Sequence, residues 1–337
     1  MMKRRGRKRL KLTELIYIPL LTVVACLVYV IETPSSALFA AFFLVGGSFI
    51  LIKGSDLFVE SAVSISASLG VSEHTIGLTV VAFGTSLPEL AVSVLASYQH
   101  HPETAWGNVV GSNVTNIALV LGIAMIITAL KPSRFAVRDS LSMLVVSGIV
   151  LLLAYDGMLR WYDGVVLVVL YAVFIRMLRG RETKGESDGT VPLGPALVLL
   201  SLGIVGVAVG ADAVVRGAVD TSRLLGVKEV AVAASIVALG TSLPELTASV
   251  MATIKKHHGI AVGNVIGSNL MNIGFVLGIA AMVRGIPIPV ASPAILFFIG
   301  SALMVPLVLK KGWIGRKTGM TFLALYALFV VVLYWLQ

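Results

Sequence analysis

Long apolar runs alternate with short polar connections along the whole chain. The runs lie near residues 15–31, 36–52, 76–97, 105–129, 141–155, 163–178, 193–211, 229–253, 260–283, 288–309 and 319–336. A helix that crosses the hydrocarbon core of a bilayer needs about 20 mostly apolar residues. The pattern therefore predicts an all-α polytopic membrane protein with eleven candidate spans.

Composition supports this class. Of the 337 residues 57% are hydrophobic and 13% charged, whereas a soluble domain has roughly 25% charged residues. A disordered chain needs low hydrophobicity and high net charge, so disorder is excluded as well. The single cysteine, Cys26, lies inside an apolar run, and no disulfide framework or metal–thiolate site is predicted.

The basic residues predict the orientation of the chain. If the basic N-terminal tail is cytoplasmic and every run spans, 20 of the 26 Lys and Arg residues fall on the cytoplasmic side and five outside. We therefore expect a multi-pass cell-membrane protein, with no nucleic acid and no obligate protein partner. The first run could be a cleaved signal peptide or a retained helix; its length and the lack of a clear cleavage site favour retention.

An ungapped internal repeat spans much of the sequence. Residues 54–122 align with residues 210–278 at a constant offset of 156, with roughly half of the positions identical. Two motifs recur in it, GTSLPEL at 84–90 and 240–246, and GNVVGSNVTNI at 107–117 with GNVIGSNLMNI at 263–273. Five predicted spans separate equivalent points, so the second copy is inverted. Inverted repeats are typical of secondary transporters, which bind substrate near the bilayer midplane.

The repeat and the runs together predict the organisation of the chain. We expect two inverted five-helix repeats, giving ten core helices, and an extra N-terminal helix. The predicted boundaries are 1–34 for the basic cytoplasmic tail and extra helix, 35–178 for the first repeat, 179–192 for a cytoplasmic linker and 193–337 for the second repeat.

Two acidic residues, Glu89 and Glu245, lie in the middle of apolar runs. A charge there costs about 2.5–3.5 kcal/mol even on the lenient insertion scale. No Lys or Arg in either run lies at a helical spacing that would pair with them, so a bound cation is the predicted compensation. The alternative is that each carboxyl is protonated and hydrogen-bonded between helices.

The neighbouring residues indicate the kind of cation. Hydroxyl groups precede each glutamate by four and three residues, namely Thr85 and Ser86 in the first copy and Thr241 and Ser242 in the second. Pro88 and Pro244 are predicted to break the helices and free the carbonyls of Gly84 and Gly240. Carboxylates, hydroxyls and carbonyls form an all-oxygen site, which favours hard cations such as Ca²⁺, Mg²⁺ or Na⁺.

The second motif contributes further candidate ligands. In each copy a serine and an asparagine four residues apart share a helix face: Ser112 with Asn116, and Ser268 with Asn272. The alternative for these four is hydrogen bonding between helices. The motif glycines are predicted to let helices pack closely: Gly107, Gly111, Gly263 and Gly267. The remaining motif asparagines are predicted to hold broken helix ends in place: Asn108, Asn113, Asn264 and Asn269.

Other polar residues receive weaker functional interpretations. Asp56 and Asp212 lie near span ends, where a carboxylate reaches water or a helix terminus. All five histidines fall at predicted loop positions, which argues against an intramembrane metal site or proton relay built on histidine. An intramembrane hydrolase using Ser86 or Ser242 lacks a base with a positioned partner, so no enzyme activity and no cofactor are expected.

The duplicated GTSLPE and GNxxGSN motifs resemble the two α-repeats of the cation/calcium exchanger superfamily, in particular its prokaryotic sodium/calcium exchanger type. The resemblance covers most of the chain from about residue 35. It implies that the second, third, seventh and eighth core helices form the ion sites. Carried over by position, the ligands are the carbonyls of Ala82 and Ala238 and the side chains of Thr85, Ser86, Glu89, Ser112, Asn116, Thr241, Ser242, Glu245, Ser268 and Asn272.

The same resemblance implies the activity. We expect a secondary antiporter that extrudes Ca²⁺ in exchange for Na⁺ by alternating access, with Glu89 and Glu245 bridging Ca²⁺ and the Thr85 and Thr241 hydroxyls in its shell. Several relatives have Asp at the position of Asn272, so this chain has one carboxylate fewer, which argues against potassium co-transport. The alternative activity is proton-coupled exchange of Ca²⁺ or Mg²⁺.

Overall fold

The computed structural model describes residues 12–30, 37–178, 191–225, 240–289, 292–312 and 314–335, and most of them are helical. The first half contains α1 (Leu12–Val30), α2 (Ala37–Leu69), α3 (Glu73–Thr85), α4 (Leu87–Tyr98), α5 (Pro102–Ile127), α6 (Ala136–Leu153) and α7 (Trp161–Met177). The second half contains α8 (Leu193–Leu224), α9 (Leu243–Ile254), α10 (His258–Val283), α11 (Pro293–Leu309) and α12 (Arg316–Trp335).

The helices agree with the predicted all-α membrane class. Six are long and apolar enough to cross a bilayer (α2, α5, α6, α8, α10 and α12), or seven if the bent pair α3 and α4 is one span. This number, which covers the described residues alone, is below the eleven candidate spans. The difference arises partly because α1, α9 and α11 contribute shorter apolar segments, and because residues 226–239, which precede α9 in the same apolar run, lie outside the described ranges.

The longest helices, α2 and α8, pack against each other with their backbones in contact. A Cβ atom on Gly54 of α2 would lie 2.8 Å from the backbone nitrogen of Val207, and one on Gly203 of α8 would lie 2.8 Å from that of Phe58. Glycine permits this approach because it has no side chain. The two helices therefore form one tightly packed pair.

Helix α1 lies on this pair. Its apolar side chains Tyr17, Leu21 and Val24 share a buried cluster with residues of α2 and α8. The Tyr17 hydroxyl donates a hydrogen bond to the Leu202 carbonyl over 3.2 Å, next to Gly206, where a Cβ atom would collide with the tyrosine. Cys26 is exposed on the same helix.

The other helices form a bundle whose centre is α5 and α10. The largest buried cluster contains side chains from both of these helices and from α6, α7, α11 and α12. Two short pairings join the loops at its ends: β1 (Met158–Leu159) with β2 (Ile286–Pro287), and Leu130 with Ile314. The bundle places the GTSLPEL and GNxxGSN motifs at its buried centre.

Two predicted segments cannot be compared with the structure over most of their length. The described residues do not include residues 1–11 of the basic tail or residues 179–190 of the predicted linker. The extra N-terminal helix is described from Leu12 to Val30.

The prediction that all five histidines lie in loops was wrong for two of them. His258 is the first residue of α10. His74 lies in α3, which begins at Glu73, with the Ser72 hydroxyl accepting from the backbone N–H of Thr75 at the helix N-terminus. The His74 side chain is buried, and its Nε2 lies 3.0 Å from a carboxylate oxygen of Asp139 on α6. The cluster of polar residues at 72–74 predicted a loop, but it is a capped helix start.

Candidate ion-binding site

A sharp bend separates the two parts of the first GTSLPEL segment. Helix α3 ends at Thr85, α4 begins at Leu87, and the two axes differ by 47°. Pro88 is the second residue of α4, and Glu89 lies in its first turn. Because the first turn of a helix has backbone N–H groups without intrahelical partners, a carboxylate is favourable there. In the second copy α9 likewise begins Leu243–Pro244–Glu245.

Both glutamates are fully buried, each with 0% exposure. One oxygen of Glu245 accepts a hydrogen bond from the Ser86 hydroxyl over 2.9 Å, whereas the other oxygen of Glu245 and both oxygens of Glu89 have no partner among the described residues. Two buried carboxyl groups with three free oxygens are costly unless something compensates them.

Side chains of the two copies interlock around the glutamates. The Thr85 hydroxyl lies 3.3 Å from that of Ser268, and the amide of Asn272 donates to the Ser112 hydroxyl over 3.0 Å. The amide of Asn116 donates to the side-chain oxygen of Asn269 over 3.2 Å. The structure therefore brings predicted ligands from all four motif segments together.

Several of these side chains present an oxygen with no hydrogen-bond donor in the described part of the chain. They are the amide oxygens of Asn116 and Asn272 and the Ser242 hydroxyl, all at most 2% exposed, together with the glutamate oxygens above. Among the described residues, no Lys or Arg forms an ion pair with either glutamate. Free oxygen acceptors around two carboxylates have the chemistry that binds a hard cation.

The remaining predicted ligands differ in setting. Ala82 is buried, and its carbonyl already accepts the backbone N–H of Ser86 over 3.0 Å. Thr241 is half-buried, with its hydroxyl 3.5 Å from the side-chain oxygen of Asn108. Ala238 lies outside the described residues.

Wide helical turns run through the site. The backbone is π-helical over Gly77–Val81, which directly precedes Ala82, over Thr115–Leu121, which contains Asn116, and over Asn272–Val276. Such turns are rare and frequently occur at functional sites. These wide turns cannot be predicted from the hydrophobic pattern of the sequence, because one extra residue in a turn does not change an all-apolar pattern.

The motif glycines behave differently in the two halves. A Cβ atom on Gly263 of α10 would lie 2.5 Å from the His74 carbonyl of α3, and one on Gly267 would collide with the Leu78 carbonyl. Gly107 and Gly111 have nothing within 4 Å of such a Cβ atom. Close packing is therefore a property of the α10 glycines in the described structure.

An ion cluster at the C-terminal end of α9 was not predicted from the sequence. Lys255, just after α9, contacts Asp56 and lies 2.8 Å from Glu60, both on α2. Burial opposes the charge on Lys255, but its hydrogen bonds to the two carboxylates outweigh that effect and raise the pKa of Lys255 above its ordinary value. Only the docking of α2 on α9 could have revealed this cluster, since the residues are 195 positions apart.

The chain matches a known protein family over most of its length. The sequence profile of the sodium/calcium exchanger protein family matches residues 38–179 and 195–335. The chain belongs to this family. It is a multi-pass membrane transporter of the prokaryotic sodium/calcium exchanger type, in the cation/calcium exchanger superfamily.

Individual relatives agree over nearly the full length. An uncharacterized membrane protein of Methanocaldococcus jannaschii is 36% identical over 291 residues, covering 85% of this chain and 95% of the relative. The sodium/calcium exchanger MaX1 of Methanosarcina acetivorans is 32% identical, covering 86% and 97%. A solved structure of the sodium-calcium exchanger NCX_Mj, soaked with Na⁺ and Sr²⁺, superposes with a TM-score of 0.81 at 34% identity, covering 88% of this chain and 99% of that one.

Proposed function

We propose that this protein is a secondary antiporter that exports Ca²⁺ from the cell in exchange for Na⁺ by alternating access. The observation that carries the proposal is the pair of fully buried glutamates with free oxygens, Glu89 and Glu245, enclosed by hydroxyl and amide groups. Two negative charges match one Ca²⁺ ion, and Na⁺ ions neutralise the same charges in the alternative state. The empty, doubly charged site is costly to move through the membrane, so exchange is favoured over one-way leak.

The architecture we propose consists of ten core helices in two inverted repeats, residues 35–178 and 193–337, joined by a cytoplasmic linker at 179–192. Helix bounds support it, because helices of the two halves begin at or within a residue of the 156-residue offset: α2 with α8, α4 with α9, α5 with α10, α6 with α11 and α7 with α12. The inner and outer ends of the transporter then follow from the basic loops, with the N-terminus cytoplasmic.

For the bound ion we propose an all-oxygen shell. Glu89 and Glu245 bridge Ca²⁺, and the hydroxyls of Thr85 and Thr241 lie in the same shell. The other proposed Ca²⁺ and Na⁺ ligands are the carbonyls of Ala82 and Ala238 and the side chains of Ser86, Ser112, Asn116, Ser242, Ser268 and Asn272. Pro88 and Pro244 break the two helices so that each glutamate lies at a helix start.

Access is proposed to alternate by sliding of the α2–α8 pair across the bundle. The glycine contacts between α2 and α8 support movement of the two as one body. The bundle, with its large continuous core, stays rigid and holds the ions. Helix α1 packs on α2 and α8 and therefore moves with them.

The test is uptake of radioactive Ca²⁺ by proteoliposomes. Uptake should require a Na⁺ gradient of opposite direction and should persist when an ionophore collapses the pH gradient. Uptake that ignores Na⁺ but follows the pH gradient would contradict Na⁺ coupling and would indicate the proton-coupled alternative. Empty liposomes carrying the same gradients are the control.

A further inference from the structure

Two asparagines of the GNxxGSN motifs, Asn108 and Asn264, link the two halves in the same crossed way. Each lies on the central helix of its own half, α5 or α10. The amide nitrogen of Asn264 donates to the Glu245 backbone carbonyl over 3.4 Å and to the Ser249 hydroxyl over 2.9 Å. Its amide oxygen accepts the hydroxyl of Thr85, from the opposite half, over 3.2 Å.

Asn108 repeats these contacts in the other direction. Its amide nitrogen donates to the Glu89 backbone carbonyl over 3.2 Å and to the Ser93 hydroxyl over 2.9 Å. Its amide oxygen accepts the hydroxyl of Thr241, again from the opposite half, over 3.5 Å. Each asparagine therefore contacts the glutamate segment of its own half and the threonine of the other half.

The chemistry of the contacts fixes which way each amide faces. A backbone carbonyl can only accept, so the Glu245 carbonyl must face the NH₂ group of Asn264. The amide oxygen then faces Thr85, which must donate. Asn264 is fully buried, with its amide nitrogen on the Glu245 carbonyl and the Ser249 hydroxyl and its amide oxygen on the hydroxyls of Thr85 and Ser268, so a flipped amide would face the Glu245 carbonyl with its oxygen.

A hydroxyl group that binds a cation must point its single hydrogen elsewhere, because the cation is bound through the oxygen lone pairs. The Thr85 hydroxyl has several acceptors in reach. The side-chain oxygen of Asn264 lies at 3.2 Å, the Ala82 carbonyl and the Ser268 hydroxyl lie at 3.3 Å, and the Glu245 carboxylate is close as well. The Ser86 hydroxyl is arranged differently, because it donates its hydrogen to the Glu245 carboxylate. That hydrogen bond occupies one of the two Glu245 oxygens.

We propose that Asn264 and Asn108 are positioning residues of the ion site. Each amide oxygen holds the hydroxyl hydrogen of the opposite threonine away from the ion, so that the threonine lone pairs face it, and each amide nitrogen holds the glutamate turn of its own half. This inference rests on the proposed function, in which Thr85 and Thr241 are ion ligands. It assigns the two asparagines a role in binding affinity in addition to holding broken helix ends.

The test is a set of double-mutant cycles on equilibrium Ca²⁺ binding to the purified full-length protein, with ⁴⁵Ca²⁺ as the probe. The substitutions are Asn264→Leu and Thr85→Val, which keep the approximate shapes and remove the polar groups. Asn264→Leu should weaken Ca²⁺ binding ~10–100-fold, as is typical when an outer partner of a metal ligand is lost, and Thr85→Val should weaken it at least as much. The double variant should lose less than the product of the two single losses, because the two changes share the Asn264–Thr85 contact, while Asn264→Leu also removes the contact with the Glu245 turn.

The matched control combines Asn264→Leu with Thr241→Val, which do not contact each other, and there the two losses should multiply. Multiplication in the Asn264–Thr85 pair as well would overturn the inference, because a merely structural asparagine would act independently of the threonine. If Asn264→Leu does not fold, the same cycle with Asn108 and Thr241 decides, since both are half-buried.

The outcome also separates this inference from the proposed function. In one outcome the wild type binds Ca²⁺, Thr85→Val weakens binding, and the losses from Asn264→Leu and Thr85→Val multiply. That outcome contradicts the positioning role alone. Full Ca²⁺ binding in Thr85→Val contradicts the inference and the ligand assignment of Thr85 together. Absence of Ca²⁺ binding to the wild type contradicts the proposed function itself.

Discussion

At the scale of single residues, the site is defined by acceptor groups that lack donors. Glu89 has both oxygens free and Glu245 one, in positions with no exposure. The sequence predicted these residues because a carboxylate inside an apolar run needs a partner. It could not predict that the asparagines cross between the halves, since residue spacing within a helix carries no information on how two distant segments dock.

Replacing either glutamate by glutamine tests the site at this scale. Glu89→Gln and Glu245→Gln keep the side-chain shape and remove one of two charges, so each should abolish measurable Na⁺-dependent Ca²⁺ uptake. Thermal unfolding without Ca²⁺ should occur at an equal or higher temperature, because the variant buries one uncompensated charge fewer.

Glu103→Gln is the matched control, because Glu103 is 63% exposed at the start of α5. It should transport like the wild type. Normal Ca²⁺ exchange in both buried variants would show that the ion binds elsewhere.

At the scale of helices, the sequence pattern predicted where the long helices lie better than it predicted the geometry within them. Apolar runs predicted the long helices, and Pro88 predicted the kind of helix break that the structure places before Glu89. The wide turns at 115–121 and 272–276 could not be predicted, because their hydrogen-bond register depends on packing. His74 was misplaced for the opposite reason: polar residues that cap a buried helix look like a loop in sequence.

Gly210 on α8 provides a test of the contact between the two long helices. A Cβ atom there would lie 2.5 Å from the backbone nitrogen of Leu51 and 2.8 Å from its Cα. Gly210→Ala should therefore lower the free energy of unfolding by about 1–3 kcal/mol, as other overpacked sites do.

Gly148→Ala is the comparison, because a Cβ atom on Gly148 in α6 meets nothing within 4 Å. It should leave the unfolding temperature unchanged or raise it, since alanine favours helix. Equal effects of the two substitutions would contradict the described contact between α2 and α8.

At the scale of the whole molecule, the two halves are alike but not identical. Lys255 ties α2 to the end of α9 through Asp56 and Glu60. The positions 156 residues away carry Asp212, Arg216 and Gln99, and there the ion pair between Asp212 and Arg216 stays within α8. The α2–α8 pair is thus joined to the bundle by this lysine at one end.

Lys255→Gln, which introduces the residue found at position 99, should lower the unfolding temperature. The raised pKa of Lys255 gives the sign of the pH dependence: the stabilisation is complete below the ordinary lysine value of 10.5 and disappears as pH rises above the raised value. The wild-type advantage should therefore be constant from neutral pH to pH 10 and shrink only beyond.

Lys256→Gln serves as the control, because Lys256 is the exposed neighbour. A wild-type advantage that already fades between pH 7 and 9 would contradict the described cluster, and so would an equal loss of stability in Lys256→Gln.

In the proposed transporter one Ca²⁺ ion binds between Glu89 and Glu245. Anomalous diffraction from crystals of the full-length protein soaked in Sr²⁺ or Ca²⁺ tests this binding directly. We expect a peak within about 2.3–2.6 Å of oxygens from both carboxylates, which weakens as Na⁺ replaces the divalent ion. A peak that contacts neither glutamate, in a protein that exchanges Ca²⁺, would show that the two glutamates do not bind the ion.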